Sequence, residues 1–288
     1  MTTLDAIDAD NPVVGVVHLS PLPGAPKFAG DFDAVRGAAL RDARRLEAGG
    51  VDAILLENFG DAPFYPDDVP KHVVAAMTRV ATEIRDEVDL PLGINVLRND
   101  AAAALSVAAA AGAAFVRVNV HVGARVTDQG VVEGTAHETV RLRERVAADV
   151  AILADLDVKH SAPLARRDAP RRASGERSDP RDADPLDAEA VAEPIERGLA
   201  DGLVVSGAGT GHEVDLDRLE AVATARDERG LDAPIFVGSG TTPENVADLL
   251  DVADGAIVGT ALKEDAETTN PVAEERVRAV VEAADEAR

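Results

Sequence analysis

The chain contains no cysteine and no tryptophan, and only one tyrosine and six phenylalanines among 288 residues. Disulfides and thiol chemistry are therefore excluded, and a core of any size must be built from Val, Ile, Leu and Ala. Lysine is nearly as scarce: only Lys27, Lys71, Lys159 and Lys263 among 29 basic residues. No apolar run reaches the about 18 residues that a membrane-spanning helix needs. The N-terminal MTTLDAIDADNP is acidic and lacks the apolar segment of a secretory signal. No basic stripe exists to neutralise the phosphates of a nucleic acid. These absences predict a cytoplasmic protein that binds neither membrane nor nucleic acid.

What is present in excess is acid. Fifty-three Asp and Glu against 29 Lys and Arg give a formal charge of −24. An acidic, lysine-poor, Ala/Val-rich composition suits a host that balances external salt with high internal salt, where a Debye length of roughly 3 Å screens self-repulsion. A charged interaction surface is the competing account, but the acids are spread along the whole chain.

Forty-six per cent hydrophobic residues suffice for a sizeable core. Short apolar runs at 12–19, 52–58, 91–97, 114–120, 150–158, 201–207, 234–240 and 255–260 alternate with amphipathic stretches. Those stretches lie at 33–48, 70–88, 100–111, 135–148, 187–198, 215–229, 243–250 and 272–287. Asp100, Asp215 and Thr242-Pro243-Glu244 offer helix starts. Strands alternating with helices imply a parallel sheet, and eight repeats imply closure into a single-domain (β/α)₈ TIM barrel over 1–288. A doubly wound open sheet would show fewer strands and a glycine-rich first turn. One segment, 164–186, lacks periodicity and mixes six arginines with five acids. It is expected to be a polar insertion at the catalytic face, either a lid closing over an anion or a plain surface loop.

Strand alternation then locates the chemistry, because polar residues at every second position of an apolar strand share one face. In the fourth strand Arg117, Asn119 and His121 are expected to face the barrel interior. In the fifth, Asp155, Asp157 and Lys159 are expected to do the same. Burying such groups is costly unless they pair. A structural ion-pair layer with Arg117 pinned by Asp155 competes with a catalytic role for the deepest pair. His18, Glu57 and Asn95 end the first three strands and complete the candidate catalytic set. Phe28, Phe59, Phe64 and Tyr65 crowd the loops after the first two strands, as a ligand wall or as loop anchors.

The sixth to eighth strands end in Ser206-Gly207-Ala208-Gly209, Gly238-Ser239-Gly240 and Gly259-Thr260. Glycines let backbone N–H groups approach an oxyanion, and barrels often hold phosphate between the last two strand ends. A small phosphorylated ligand is the expected partner. No cofactor is specified. A divalent metal is possible through Glu57, Asp61, Asp155, Asp157 and His160, but no local spacing demands one.

GVVHLSPLPGAP (15–26), LLENFGDAPF (55–64), GINVLRNDAAAAL (93–105), FVRVNVHVGA (115–124) and DQGVVEG (128–134) resemble the BtpA/SgcQ family. So do ILADLDVKHSAPL (152–164), LVVSGAGTG (203–211), VGSGTTPENV (237–246) and ADGAIVGTALK (253–263). The chief departure is the 164–186 stretch, which is longer than the family pattern. The resemblance implies a ribulose-phosphate-binding type of barrel, whose broader relatives are isomerases, epimerases, lyases and synthases of phosphorylated sugars. The family name comes from photosystem I biogenesis, and a second branch sits with sugar-utilisation proteins. A homo-oligomer is plausible by analogy with such barrels.

The resulting expectation is an enzyme of isomerase or lyase type acting on a phosphorylated sugar or nucleoside-derived phosphate. Asp155 or Asp157 would be the base and His18 or His121 the acid. Lys159 would stabilise a developing enolate, because adjacent Asp157 opposes the neutral amine that a Schiff base needs. A non-catalytic assembly factor and a phosphate-ligand sensor are the alternatives.

Overall fold

The computed structural model describes residues 7, 9–147, 149–164, 188–207 and 213–287. In chain order they form strands β1 (Val13–His18), β2 (Ala53–Glu57), β3 (Leu92–Asn95), β4 (Phe115–Val118), β5 (Ala124–Thr127) and β6 (Gly130–Glu133). There follow β7 (Ala151–Leu156), β8 (Ala162–Pro163), β9 (Gly202–Val205), β10 (Ile235–Val237) and β11 (Gly255–Val258). The helices are α1 (Phe32–Gly49), α2 (Lys71–Glu87), α3 (Ala101–Ala111), α4 (Ala136–Val146), α5 (Ala188–Glu196), α6 (Leu216–Glu228), α7 (Val246–Leu250) and α8 (Glu274–Asp285).

Eight parallel strands close in the order β1-β2-β3-β4-β7-β9-β10-β11, with β11 pairing β1. This is the expected TIM barrel. Alternation along each strand builds two apolar layers. Val13, Val17, Ile54, Leu56, Ile94, Val116 and Ile152 face α1, α2, α3 and α8, while Leu203, Val205, Ile235 and Val237 face α5, α6 and α7. Val14, Val16, Leu55, Phe115, Leu153, Val204, Phe236 and Ile257 fill the barrel itself. Two of the six phenylalanines thus sit on the axis. Phe115 lies where a side chain at Gly93 would stand, so the bulk of one strand occupies the gap left by its neighbour.

Acidic residues anchor the bottom of the barrel. Asp52, Asp201 and Asp254 each stand just before a strand and accept an amide at the start of the adjacent one: Val13, Ile152 and Ile235, each at 2.8 Å. Asp31, Asp100 and Asp215 accept from amides in the first turns of α1, α3 and α6. Some of the acid that dominates the composition is therefore structural.

Three features differ from expectation. Helix α7 begins at Val246, and the side chain of Asn245 accepts from the Thr242 amide, so Thr242-Pro243-Glu244 forms the preceding turn instead of the helix start. A small antiparallel sheet, β6-β5-β8, rises beyond the barrel. Its strands are four, four and two residues long, too short for a periodic signal. The expected insertion at 164–186 lies, from residue 165 onward, outside the described residues.

Lys263 is fully buried behind the barrel, where Nζ donates to Asp42 Oδ2 at 2.9 Å and Asp42 Oδ1 accepts from the Val272 amide. Burial holds the Lys263 amine below its ordinary range and Asp42 opposes that fall. Asp42→Ala leaves a buried cation unpaired and should destabilise the fold by about 3–5 kcal/mol. Pairing it with Lys263→Met should recover most of the loss. Chemical denaturation of both variants checks this, and a loss below about 1 kcal/mol in the single variant would show the pair to be inert.

Candidate active site at the barrel mouth

Each barrel strand carries one inward position beyond its last interior apolar residue or glycine. These are His18, Glu57, Asn95, Arg117, Asp155, Ser206, Gly238 and Gly259, one from every strand. Strand register places His18 beside Glu57, Glu57 beside Asn95 and Asn95 beside Arg117. A ring of polar groups and two glycines thus caps the apolar interior at the C-terminal end of the strands.

The ring is internally bonded. Arg117 Nε and Nη2 donate to the two Asp155 oxygens at 2.8 and 3.0 Å, and Nη2 reaches Ser206 Oγ at 3.4 Å. Asn119 Nδ2 also donates to Asp155 at 2.8 Å, so Asp155 accepts three hydrogen bonds in a buried position. Asn95 Nδ2 donates to Glu57 Oε2 at 2.8 Å, and His18 Nε2 lies 3.8 Å from Glu57 Oε1. The His18 ring tilts against Phe59 at 4.9 Å. Burial, with the charges of Lys263, Lys159 and Arg117, pushes the His18 imidazole well below its ordinary range. It is neutral at pH 7.

Over one half of this ring opens a cavity of about 400 Å³. Glu57, Arg117, Asn119 and Lys159 line it from the strand ends, and Phe59, Phe64, Leu97, Arg98, Asp128 and His160 from the loops. Burial, then the nearby Arg117 and Arg98 charges, lower the Lys159 amine, against the opposing pull of Glu57 and Asp155. The other half of the mouth carries the glycine turns. Gly207 donates its amide to Ser239 Oγ at 2.8 Å, joining the ends of β9 and β10. A Cβ at Gly238 would fall 2.6 Å from Ser206 Oγ and 3.2 Å from Arg117 Nη2. One at Gly259 would fall 2.8 Å from the His18 ring. Gly240 follows at a positive φ of 72°, and Thr260 Oγ1 bonds Thr268 Oγ1 at 2.8 Å. Because β10 pairs β11, the two turns are neighbours.

Buried polar atoms without partners point to the same mouth. His18 Nδ1, Asn119 Oδ1 and Thr241 Oγ1 are among the few such atoms in the described residues. A native protein rarely leaves such atoms unsatisfied without a functional reason.

Two candidates fall elsewhere. Strand β7 ends at Leu156, and Asp157 takes a left-handed φ of 54°, which breaks the two-residue alternation. Its carboxylate turns to Arg125 and Arg218; burial resists its ionisation, but the two arginines hold it below the usual range. His121 lies beyond the end of β4 and is buried, with Nε2 bonded to the Gly198 carbonyl at 2.8 Å, away from the cavity lining. Gly209 lies outside the described residues. Among those residues no three of His, Asp or Glu converge to hold a metal ion. Asp61 is engaged with the Leu22 amide and Asn58.

Arg98 and Asp128 line the cavity without being among the expected site residues. Arg98 follows β3 in the motif NVLRND, a position whose direction strand alternation does not determine. Asp128 arrives on the β5–β6 turn.

The BtpA family model matches residues 9–286. The chain belongs to the BtpA family. Relatives include an uncharacterized protein of Thermococcus kodakarensis, 47% identical over 277 residues and 96% of each chain. The photosystem I biogenesis protein BtpA of Synechocystis is 42% identical over 98% of this chain and 91% of its own. The putative sgc region protein SgcQ of Escherichia coli is 30% identical over 96% of each. Among solved structures, thiamine phosphate pyrophosphorylase of Pyrococcus furiosus aligns at TM-score 0.54 and 13% identity, over 96% of each chain. The N-(5'-phosphoribosyl)anthranilate isomerase of that organism aligns at 0.55 and 14%, over 96% and 99%. At such identities these two show the shared barrel alone. Among the described residues of this BtpA-family barrel no helix is long and apolar enough to cross a membrane.

The depressed His18 gives a signed pH effect. Between its folded pKa and about 6.5 the unfolded chain binds the proton that the folded chain refuses. Stability should therefore fall as pH drops through this window, by up to about 1.4 kcal/mol per unit from this group. The difference in unfolding free energy between wild type and His18→Gln, followed from pH 7.5 to 5, isolates the term. Parallel profiles would refute it.

Proposed function

We propose that this BtpA-family barrel is an enzyme acting on a phosphorylated sugar or nucleoside-derived phosphate, by isomerase- or lyase-type acid–base chemistry. The observation that carries the proposal is the position of Arg117. It lines the cavity and also touches Ser206 and the open space over Gly238, so one bound molecule can reach both halves of the mouth. In this reading the phosphate lies against Ser206, Gly207, Gly238, Ser239, Gly240, Gly259 and Thr260, and the sugar extends into the cavity.

Within this reading the contacts of each candidate favour a particular acid and base. Asp155 is occupied by Arg117 and Asn119, which suits it to positioning them, and Asp157 and His121 face other partners. Glu57 lines the cavity and takes the role of base, oriented by Asn95. Neutral His18 can give up its ring proton and accept another, so it relays a proton between Glu57 and the ligand. Lys159 keeps the electrostatic role, stabilising negative charge on a carbonyl oxygen as an enolate forms. The acidic composition supports a cytoplasmic, salt-adapted setting for this activity.

The Synechocystis relative's name favours a second reading, a platform for assembly. A platform gains nothing from a buried polar ring with unsatisfied atoms, and it tolerates Lys159→Ala.

Thermal-shift screening of sugar and nucleotide phosphates in molar potassium chloride tests the proposal. A ligand at a hundred times its Kd should stabilise the fold by about 2.7 kcal/mol. Ser239→Asp, which sets a carboxylate at the glycine turns, should abolish the shift. Hits confined to unphosphorylated compounds would overturn the phosphate site. A borohydride-trapped adduct on Lys159 would overturn its electrostatic role in favour of a Schiff base.

A further inference from the structure

The cavity gathers cations that the chain otherwise spends sparingly. Arg117, Arg98 and Lys159 all line it, in a protein with four lysines and a formal charge of −24. Arg117 is neutralised by Asp155. The other two are not neutralised in this way. Arg98 is buried, with its side chain 7% exposed, and its side-chain contacts among the described residues are long. Nε donates to the neutral Gln129 amide at 3.3 Å, and the guanidinium stands 5.8 Å over the Phe64 ring. Its nearest carboxylate, Asp128, is 3.8 Å away with a side chain 63% exposed, so solvent screens it. Lys159 makes no hydrogen bond or ion pair with any described residue, although it stands beside Glu57 in the lining.

Among the described residues, a buried guanidinium whose carboxylate partner is 3.8 Å away and solvent-screened stands beside an ammonium offset only by the fields of Glu57 and Asp155, an arrangement that a bound anion improves. The two cations oppose each other, which is part of what lowers the lysine amine. An anion arriving between them relieves both. A second requirement comes from Asn119. Asp155 fixes its amide nitrogen, and the buried Oδ1 has no donor. An acceptor held in this way in the cavity wall calls for a hydroxyl or N–H on the ligand.

We infer that the ligand carries a second anionic group, a carboxylate, seated on Arg98 and Lys159, with a hydroxyl donating to Asn119 Oδ1. The substrate class is thus a phosphorylated hydroxy acid of the aldonate kind. The inference rests on the phosphate reading above for the ligand's other end, but its own residues are separate from the glycine turns. A planar carboxylate suits the fork of Arg98, and Lys159 adds a point charge.

The test compares matched pairs that differ in the carboxylate: 6-phosphogluconate with glucose 6-phosphate, and 3-phosphoglycerate with glycerol 3-phosphate. Dissociation constants are measured by calorimetry on the full chain at fixed potassium chloride, with gluconate alone as a third probe. The acid of each pair should bind about tenfold tighter or more. Arg98→Gln and Lys159→Gln should each bring that ratio close to one; Lys159, which is only half-buried, keeps the test available if the Arg98 variant misfolds. Equal affinities within the pairs, or a preference that survives both substitutions, overturns the carboxylate site while leaving the phosphate reading intact. Gluconate binding that depends on Lys159 while no phosphate ester binds has the opposite meaning: the carboxylate site stands and the phosphate reading falls. Absence of binding by all five compounds overturns both.

Discussion

The mouth of this barrel depends on one buried ion pair. Arg117 and Asp155 meet on adjacent strands with side chains 3% and 0% exposed, directly above the apolar filling of the barrel. Such a pair gives little stability by itself, since the cost of desolvating both ions offsets most of their attraction. What it supplies is geometry. With both Asp155 oxygens engaged, the guanidinium plane is fixed across the ring, and one of its nitrogens is directed at the β9 end. Asn119 is fixed by the same carboxylate, which leaves its Oδ1 as an unpaired acceptor. Removing Asp155 would free two side chains, Arg117 and Asn119, at once.

The same ring explains why the two glycines are where they are. Eight inward positions at one level of a barrel cannot all carry large side chains. His18, Glu57, Asn95, Arg117 and Asp155 fill one arc, and Ser206, Gly238 and Gly259 keep the other open. A methyl group at Gly238 would collide with Ser206 and crowd Arg117, and one at Gly259 would strike His18. Glycines at the ends of β10 and β11 are thus required by the side chains on their neighbouring strands, independently of any ligand. That the open arc coincides with the strand ends where barrels commonly place phosphate supports the functional reading by a separate route.

Much of this was legible in the sequence, because it follows from two periods. The alternation of apolar runs and amphipathic stretches identified the eight repeats. The two-residue period inside them assigned Arg117 and Asp155 to the interior and Val116 and Leu156 to the helix-facing side. The inference failed where the period stops. Asp157 and His121 were assigned by extending β7 and β4 past their last paired residues. A left-handed residue in one case and a turn toward Gly198 in the other redirect the side chains. The β5–β6–β8 sheet was hidden for a related reason: strands this short carry no period to detect. Arg98 and Asp128 reach the cavity on segments whose course is set by tertiary contacts, namely the Arg98 amide bonded to the Tyr65 carbonyl and the hairpin turn that carries Asp128 and Gln129.

Charge distribution connects these points. Acid is abundant and some of it lies where backbone amides need acceptors: before strands, at helix starts and at Asp42. Cations are fewer, yet Arg98, Arg117 and Lys159 meet at the mouth, and Lys263 adds its field to His18 from behind. An anion repelled by the surface at long range can still be held at the mouth by short-range contacts with Arg98 and Lys159. Salt screens the long-range repulsion over a few ångströms while leaving the buried contacts largely intact. High ionic strength should therefore speed the approach of an anionic ligand to this protein, where for a basic protein it would slow it.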